Sequence, residues 1–174
     1  MSPAPAKFFV AAMFREEEVL KRAIAELEKA FGRLDFESEV FEFNFTRYYE
    51  EEFGNGLKKL FIAFKEPLER DKLVDAKLKC IKIEDRFSVG QRRRVNLDPG
   101  YVTLGSVVLS TTKERAHRVY LGQGVFAEVA LIYVNGRFQS LPWSYADYRT
   151  EIAQRFFLSL RERLREELRQ GRNT

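Results

Sequence analysis

The order in which two hydrophobic periodicities alternate along this chain constrains its fold more than any single motif does. Lys7–Phe14 is apolar almost without interruption, the pattern of a strand buried on both faces. Residues 15–31 then place Val19, Leu20, Ala23, Ile24, Leu27 and Phe31 three and four apart, one face of a helix that Gly32 stops. Residues 35–45 read as a strand whose apolar set changes parity: Phe36 and Val40 share one face, Phe41, Phe43 and Phe45 the other. A bulge is therefore expected at Val40–Phe41. Gly54-Asn55-Gly56 is turn chemistry, and residues 57–65 form a third strand. Pro67 opens a second helix carrying Leu73, Ala76, Cys80, Ile83 and Phe87, and residues 93–97 form a fourth strand. The succession βαββαβ predicts a ferredoxin-like, split-βαβ core.

Residues 102–112 fit two templates. Leu104, Val107, Val108 and Thr111 have helical spacing, while the β-branched content suits a strand; the helix is the preferred reading. Residues 117–121 and 125–134 are strands around Gly122-Gln123-Gly124. A three-residue loop there puts Leu121 opposite Val125 and so Arg118 opposite Glu128. Asn135-Gly136 signals a tight hairpin leading into residues 137–141. A last helix starts at about Glu151, capped by Thr150, with Ile152, Phe156, Leu160, Leu164 and Leu168 as its stripe. The expectation is one α+β domain over residues 1–174: a ferredoxin-like core extended by antiparallel hairpin strands and a C-terminal helix.

Sixteen Phe in 174 residues supply a core without any disulfide. The one cysteine, Cys80, sits in the apolar helical pattern as a small core residue, which excludes a secreted, stapled scaffold. Residues 1–7 have no apolar signal core, and no run approaches the ~18 apolar residues of a membrane span. The expected setting is soluble and cytoplasmic. The few Cys, Met, Asn and Gln beside many charges also lean toward a heat-adapted source. The net charge of +4 is unevenly placed. Residues 1–87 hold 16 Lys+Arg against 18 Asp+Glu, whereas residues 88–174 hold 14 against 8, all but Lys113 being Arg. An Arg-dominated half suits an anionic partner, unless those arginines only solvate the final helix.

Polar chemistry gathers between Arg92 and Arg149. Strand alternation over 92–98 would put Arg92, Arg94, Asn96 and Asp98 on one face, lining a site or an edge, with Asp98-Pro99-Gly100 as an exit turn. Thr111, Thr112, Lys113 and Arg115 offer the hydroxyl and cationic donors that hold phosphate or carboxylate. No Gly-rich run precedes Lys113, so this is not a P-loop. Glu128 lies in a strand apolar on both faces, and a buried carboxylate needs a partner. It is a general base, or half of an ion pair with Arg118, the simpler reading. His117 suits acid–base work near neutral pH, and one His with one Cys cannot make a typical zinc set. Residues 45–53 are a lid over the site or, more simply, a solvated helical turn. Trp143, Tyr145 and Tyr148 either stack on a ligand or pin the last helix to the sheet.

Arg94–Tyr101 (RVNLDPGY), Ser110–Lys113 (STTK), His117–Leu121 (HRVYL), Ala127–Val129 (AEV) and Pro142–Arg149 (PWSYADYR), with Phe45–Tyr49 before them, together resemble a bacterial family catalogued only as a domain of unknown function. The resemblance spans essentially the whole chain and implies no activity, ligand or cofactor.

The residues support a small anionic metabolite or nucleotide as ligand, oriented by Arg94, Asn96 and Asp98. Thr112, Lys113, Arg115 and Arg118 would meet its charge, and His117 with Glu128 is the one acid–base pair available. Whether that pair makes the domain an enzyme is open. No cofactor, metal or membrane is expected. The second reading is an RNA-binding module, without the aromatic-plus-basic strand signature of an RRM. The third is a protein-interaction domain using the Arg-rich last helix.

Overall fold

Lys7–Phe14 (β1) is buried along its whole length, and the reason is a helix layer on each side of it. Phe8, Val10, Ala12 and Phe14 face the first core, built with Val19, Ala23 and Leu27 of α1 (Glu17–Phe31) and Leu73, Ala76, Cys80 and Ile83 of α3 (Leu73–Phe87). Phe9 and Ala11 face the second, where Ala153, Phe156, Phe157 and Leu160 of α4 (Glu151–Arg172) meet Phe61 and Ala63. Each fully buried Phe or Leu stabilises by about 1.5–3 kcal/mol relative to exposure. The one charge on β1 inside this double cover is Lys7, whose ammonium pairs with Glu167 of α4 at 2.8 Å.

The computed structural model describes residues 1–172 and is mixed α/β, with a large antiparallel sheet and a C-terminal helix. The remaining elements are β2 (Leu34–Glu37), β3 (Phe41–Glu42), α2 (Glu50–Phe53), β4 (Lys58–Phe64), β5 (Val95–Val102), β6 (Ser106–Thr111), β7 (Val119–Gly122), β8 (Val125–Val134) and β9 (Arg137–Ser140). The nine strands form one sheet in the order β2-β4-β1-β5-β6-β8-β7, with β3 also on β4 and β9 also on β8. It is much larger than the four-stranded core expected from the βαββαβ succession, because β5 runs straight on into β6 instead of ending the sheet. No helix among the described residues is long and apolar enough to cross a membrane.

Four local readings are corrected. Residues 106–111 are strand, not helix: Val107 and Leu109 face one core and Val108 the other, while Leu104 stays exposed outside both. Asp98-Pro99-Gly100 is not a turn but the middle of β5, which starts at Val95 rather than Arg93. Residues 35–45 split into β2 and β3 around Ser38, whose hydroxyl accepts the Phe61 N–H. The β7–β8 loop is a two-residue turn, with Gln123 and Gly124 both at positive φ, and Gly122 rather than Leu121 pairs with Val125. A register shift at Leu121 absorbs the difference, so the ladder at Val119↔Ala127 still brings Arg118 alongside Glu128.

Pro99 explains where the site lies. β5 and β6 pair only from Gly100↔Leu109 to Val102↔Val107, because proline has no N–H to continue the ladder. Beyond it β5 keeps pairing with β1 as far as Val95, and β6 with β8 as far as Thr111, so the sheet opens between them. Ser110 closes the fork by donating its hydroxyl to the Pro99 carbonyl at 2.7 Å. On the far side of the fork the Leu97 N–H, deprived of a β6 partner, donates instead to Glu84 of α3 at 2.7 Å.

Candidate functional site

A cavity of about 620 Å³ occupies this opening. Residues from both faces of the sheet line it: Lys77, Ile81 and Glu84 from α3, and Trp143, Tyr145, Asp147 and Tyr148 from the segment before α4. Asn96 and Asp98 of β5 and Lys59 of β4 form its floor, placed together by the registers Ala11↔Asp98, Met13↔Asn96 and Met13↔Lys59. Thr46, Tyr48 and Tyr49, just before α2, close one side, while Glu50 and Glu51 of α2 stay exposed, so 45–53 is a helical turn of which only the first part borders the site.

Floor charges are matched. Lys59 pairs with Asp147 at 2.7 Å, and Lys77 with Asp98 at 3.1 Å; Lys59, Asp147 and Lys77 are buried, while the Asp98 side chain keeps about a third of its surface open. Asn96 donates to the second oxygen of Asp98 at 2.8 Å and accepts from Arg93 at 2.6 Å, and Arg93 grips Glu52 of α2 through Nε and Nη2. Burial works to raise the Asp98 carboxyl, but the Lys77 and Lys59 ammonium groups and two hydrogen bonds hold it below its ordinary range. Lys77 is correspondingly held in its charged form, Asp98 and Glu84 outweighing its burial. Glu84 differs. Burial pushes its carboxyl up to about 7, only partly offset by Lys77, the Leu97 N–H and Arg93.

The connection from β6 to β7 forms the rim. Arg118 organises it: Nε donates to Glu128 at 3.2 Å, Nη1 to the Lys113 carbonyl at 2.7 Å and Nη2 to the Tyr145 hydroxyl at 2.9 Å. The same Glu128 oxygen meets Nε2 of His117, whose ring stacks on Trp143 with centroids 5.0 Å apart. The ion pair Arg118–Glu128 is therefore present, and His117 joins it. Lys113 donates to the Tyr48 hydroxyl at 2.9 Å and lies over that ring, drawing the phenol below its usual range. Arg115 donates only to the neighbouring Glu114 carbonyl. Among the described residues, Lys113 and Arg115 are the lining cations with no carboxylate partner.

Of the residues picked out by sequence, Asn96, Asp98, Thr112, Lys113, Arg115, His117 and Arg118 all line this cavity. Glu128 stands behind it, 2% exposed, as anchor for His117 and Arg118. Arg94 does not reach it. The turn bridged by Val89 and Arg92 and the strand start at Val95 break the alternation assumed across 92–98. Arg94 instead pairs with Glu16 at 2.7 Å in a separate cleft, and Arg93 takes the place expected of it. Trp143 and Tyr148 both line the cavity, and Tyr148 also pins α4, stacked on Phe157 at 5.6 Å.

Sequence reasoning missed Lys59, Lys77, Glu84, Arg93 and Asp147. The signal for two of them was present: Lys59 shares parity with Leu57, Phe61 and Ala63, and Lys77 lies beside Ala76 and Cys80 on the buried stripe. A charge on a buried face needs a counter-charge from elsewhere in the fold. Among the described residues no cluster of His, Cys, Asp or Glu is placed to hold a metal ion.

The family described as Domain of unknown function (DUF4416) matches residues 4–164. No curated protein and no solved structure matches the chain.

Proposed function

The chain belongs to the DUF4416 family, a domain of unknown function, and from its cavity we propose that it is a cytosolic domain binding a small anionic metabolite or nucleotide. One observation carries the reading: the mouth presents Lys113 and Arg115 with no carboxylate opposite, while every deeper cation is already matched. Charge left unmatched in a concave, partly desolvated place attracts an anion, and hydroxyls at Thr111 and Thr112 add donors beside it. His117 and Glu128 make that ligand's chemical transformation a second step of the same proposal, with Arg118 as their positioning residue rather than a ligand contact.

We read β2-β4-β1-β5 with α1 and α3 as a ferredoxin-like half, to which β6–β9 and α4 add the second wall of the cavity. Helices pack on both faces of that half, which argues against an open RNA-binding sheet. The arginines of α4 are also engaged: Arg155 with Glu39, Arg163 with Asp35, and Arg161 over Tyr133. They offer less to a nucleic acid or protein partner than the sequence count suggests.

The test is thermal. A ligand that binds only the native state stabilises by RT ln(1 + [L]/Kd), about 2.7 kcal/mol at a hundredfold excess over Kd. Inorganic phosphate should raise the melting temperature of the wild type, and Lys113→Ala should remove that rise while leaving the ligand-free melting temperature nearly unchanged. An equal rise in both proteins would place the anion elsewhere.

A further inference from the structure

Charge in the cavity is sorted by depth, and the sorting says more about the ligand than its sign does. At the mouth, exposed Lys113 and Arg115 lack carboxylates. On the buried floor, Lys59–Asp147 and Lys77–Asp98 are matched pairs, and Asn96 joins the second to Arg93. These two pairs have no net charge to offer, but they are dense in paired donors and acceptors, the surface that neutral hydroxyls bind. Tyr148 lines the same floor at 3% exposure, and its hydroxyl has no hydrogen-bond partner among the described residues. Buried hydroxyls are normally bonded, so this one is available to a ligand group.

Size points the same way. A cavity of about 620 Å³ is far larger than a free inorganic anion and falls in the range of sites for organic ligands, ~300–1,000 Å³. Trp143 spends its N–H on the Val129 carbonyl at 2.8 Å, which leaves only its ring to face a ligand. Two cations and neighbouring threonine hydroxyls suit a dianionic phosphate group better than a single carboxylate.

We propose that the ligand is a phosphomonoester of a hydroxyl-rich body, a sugar phosphate or a nucleotide. Its phosphate sits on Lys113 and Arg115, and its hydroxyls lie on Asp98, Asp147 and Tyr148. This rests on the anion-binding reading above and specifies what the anion is attached to.

Calorimetric titration of the full chain with inorganic phosphate, ribose 5-phosphate, glucose 6-phosphate and adenosine monophosphate tests it. At least one organic phosphate should bind roughly tenfold or more tightly than inorganic phosphate, the gain expected of one or two added hydrogen bonds. A further preference for the nucleotide over ribose 5-phosphate would assign the aromatic wall to a base, and its absence would assign the site to a sugar phosphate. Tyr148→Phe, which keeps the ring packing, and Asp98→Asn should each shrink that advantage and leave inorganic phosphate binding unchanged. If Asp98→Asn fails to fold, Tyr148→Phe alone decides. Inorganic phosphate binding as tightly as all three organic phosphates would overturn the inference while sparing the anion reading. Binding of none of the four would overturn both. An advantage untouched by either substitution would remove the hydroxyls from this floor.

Discussion

Glu84 shows how a single side chain can serve the fold and the cavity at once. It replaces the missing β6 acceptor for the Leu97 N–H, and burial raises its carboxyl from an ordinary 4.5 to about 7. A group raised on folding contributes stability that is complete below its unfolded value and is lost as pH climbs through its folded value. The wild type should therefore lose on the order of 1–3 kcal/mol between about pH 4.5 and 7 from this group. Glu84→Gln keeps an acceptor for Leu97 but cannot ionise, so urea unfolding across that window should show a flatter profile. A profile as steep as the wild type's would contradict the assignment. Asp98, held below its ordinary 3.8, acts in a different window: its contribution is present at neutral pH and is lost only in acid. Glu128 carries the rim in the same local way. Glu128→Ala leaves the 6%-exposed Arg118 guanidinium without its carboxylate and should cost about 3–5 kcal/mol in chemical denaturation. A loss below ~1 kcal/mol would mean that Arg118 is held by its carbonyl and tyrosine partners alone.

At the scale of elements, the fork between β5 and β6 makes the site, and Gly100 sits at its root. A Cβ there would lie 2.3 Å from the Val108 carbonyl oxygen and 2.7 Å from the Phe9 ring, so no side chain fits without parting the two strands. Gly100→Ala should destabilise by about 3 kcal/mol, the upper end of overpacking costs. A variant as stable as the wild type would show that β5 and β6 do not approach this closely. The same residues explain what sequence could and could not reveal. β1, α1, the Asn135-Gly136 turn and the Thr150 cap, whose hydroxyl accepts the Ala153 N–H, were legible because local pattern and tertiary role agree. Asp98-Pro99-Gly100 was read as a turn because Pro and Gly mark turns. Here one ends a ladder and the other permits a close approach inside a strand. β6 read as a helix because Leu104 completes a helical spacing, although it contributes to neither core. The rim cations were legible because they are neighbours in sequence. The floor was legible only at Asn96 and Asp98 of β5, since Lys59, Lys77 and Asp147 reach them only through the packing of β4, α3 and the segment before α4.

Across the whole molecule, two helix layers cover the β2-β4-β1-β5 half of the sheet and leave a polar cavity where it forks. That arrangement concentrates unmatched positive charge at one mouth, despite an overall excess of only +4. Trp143 is the sole tryptophan of the chain and lines that mouth, so its fluorescence reports on this place and nowhere else. The most direct measurement of anion binding at this site is a titration of that emission with inorganic phosphate at constant ionic strength. The change should saturate, vanish in Lys113→Ala and persist in Arg94→Ala, whose side chain lies in the other cleft. A saturable change that survives Lys113→Ala and disappears in Arg94→Ala would contradict the account.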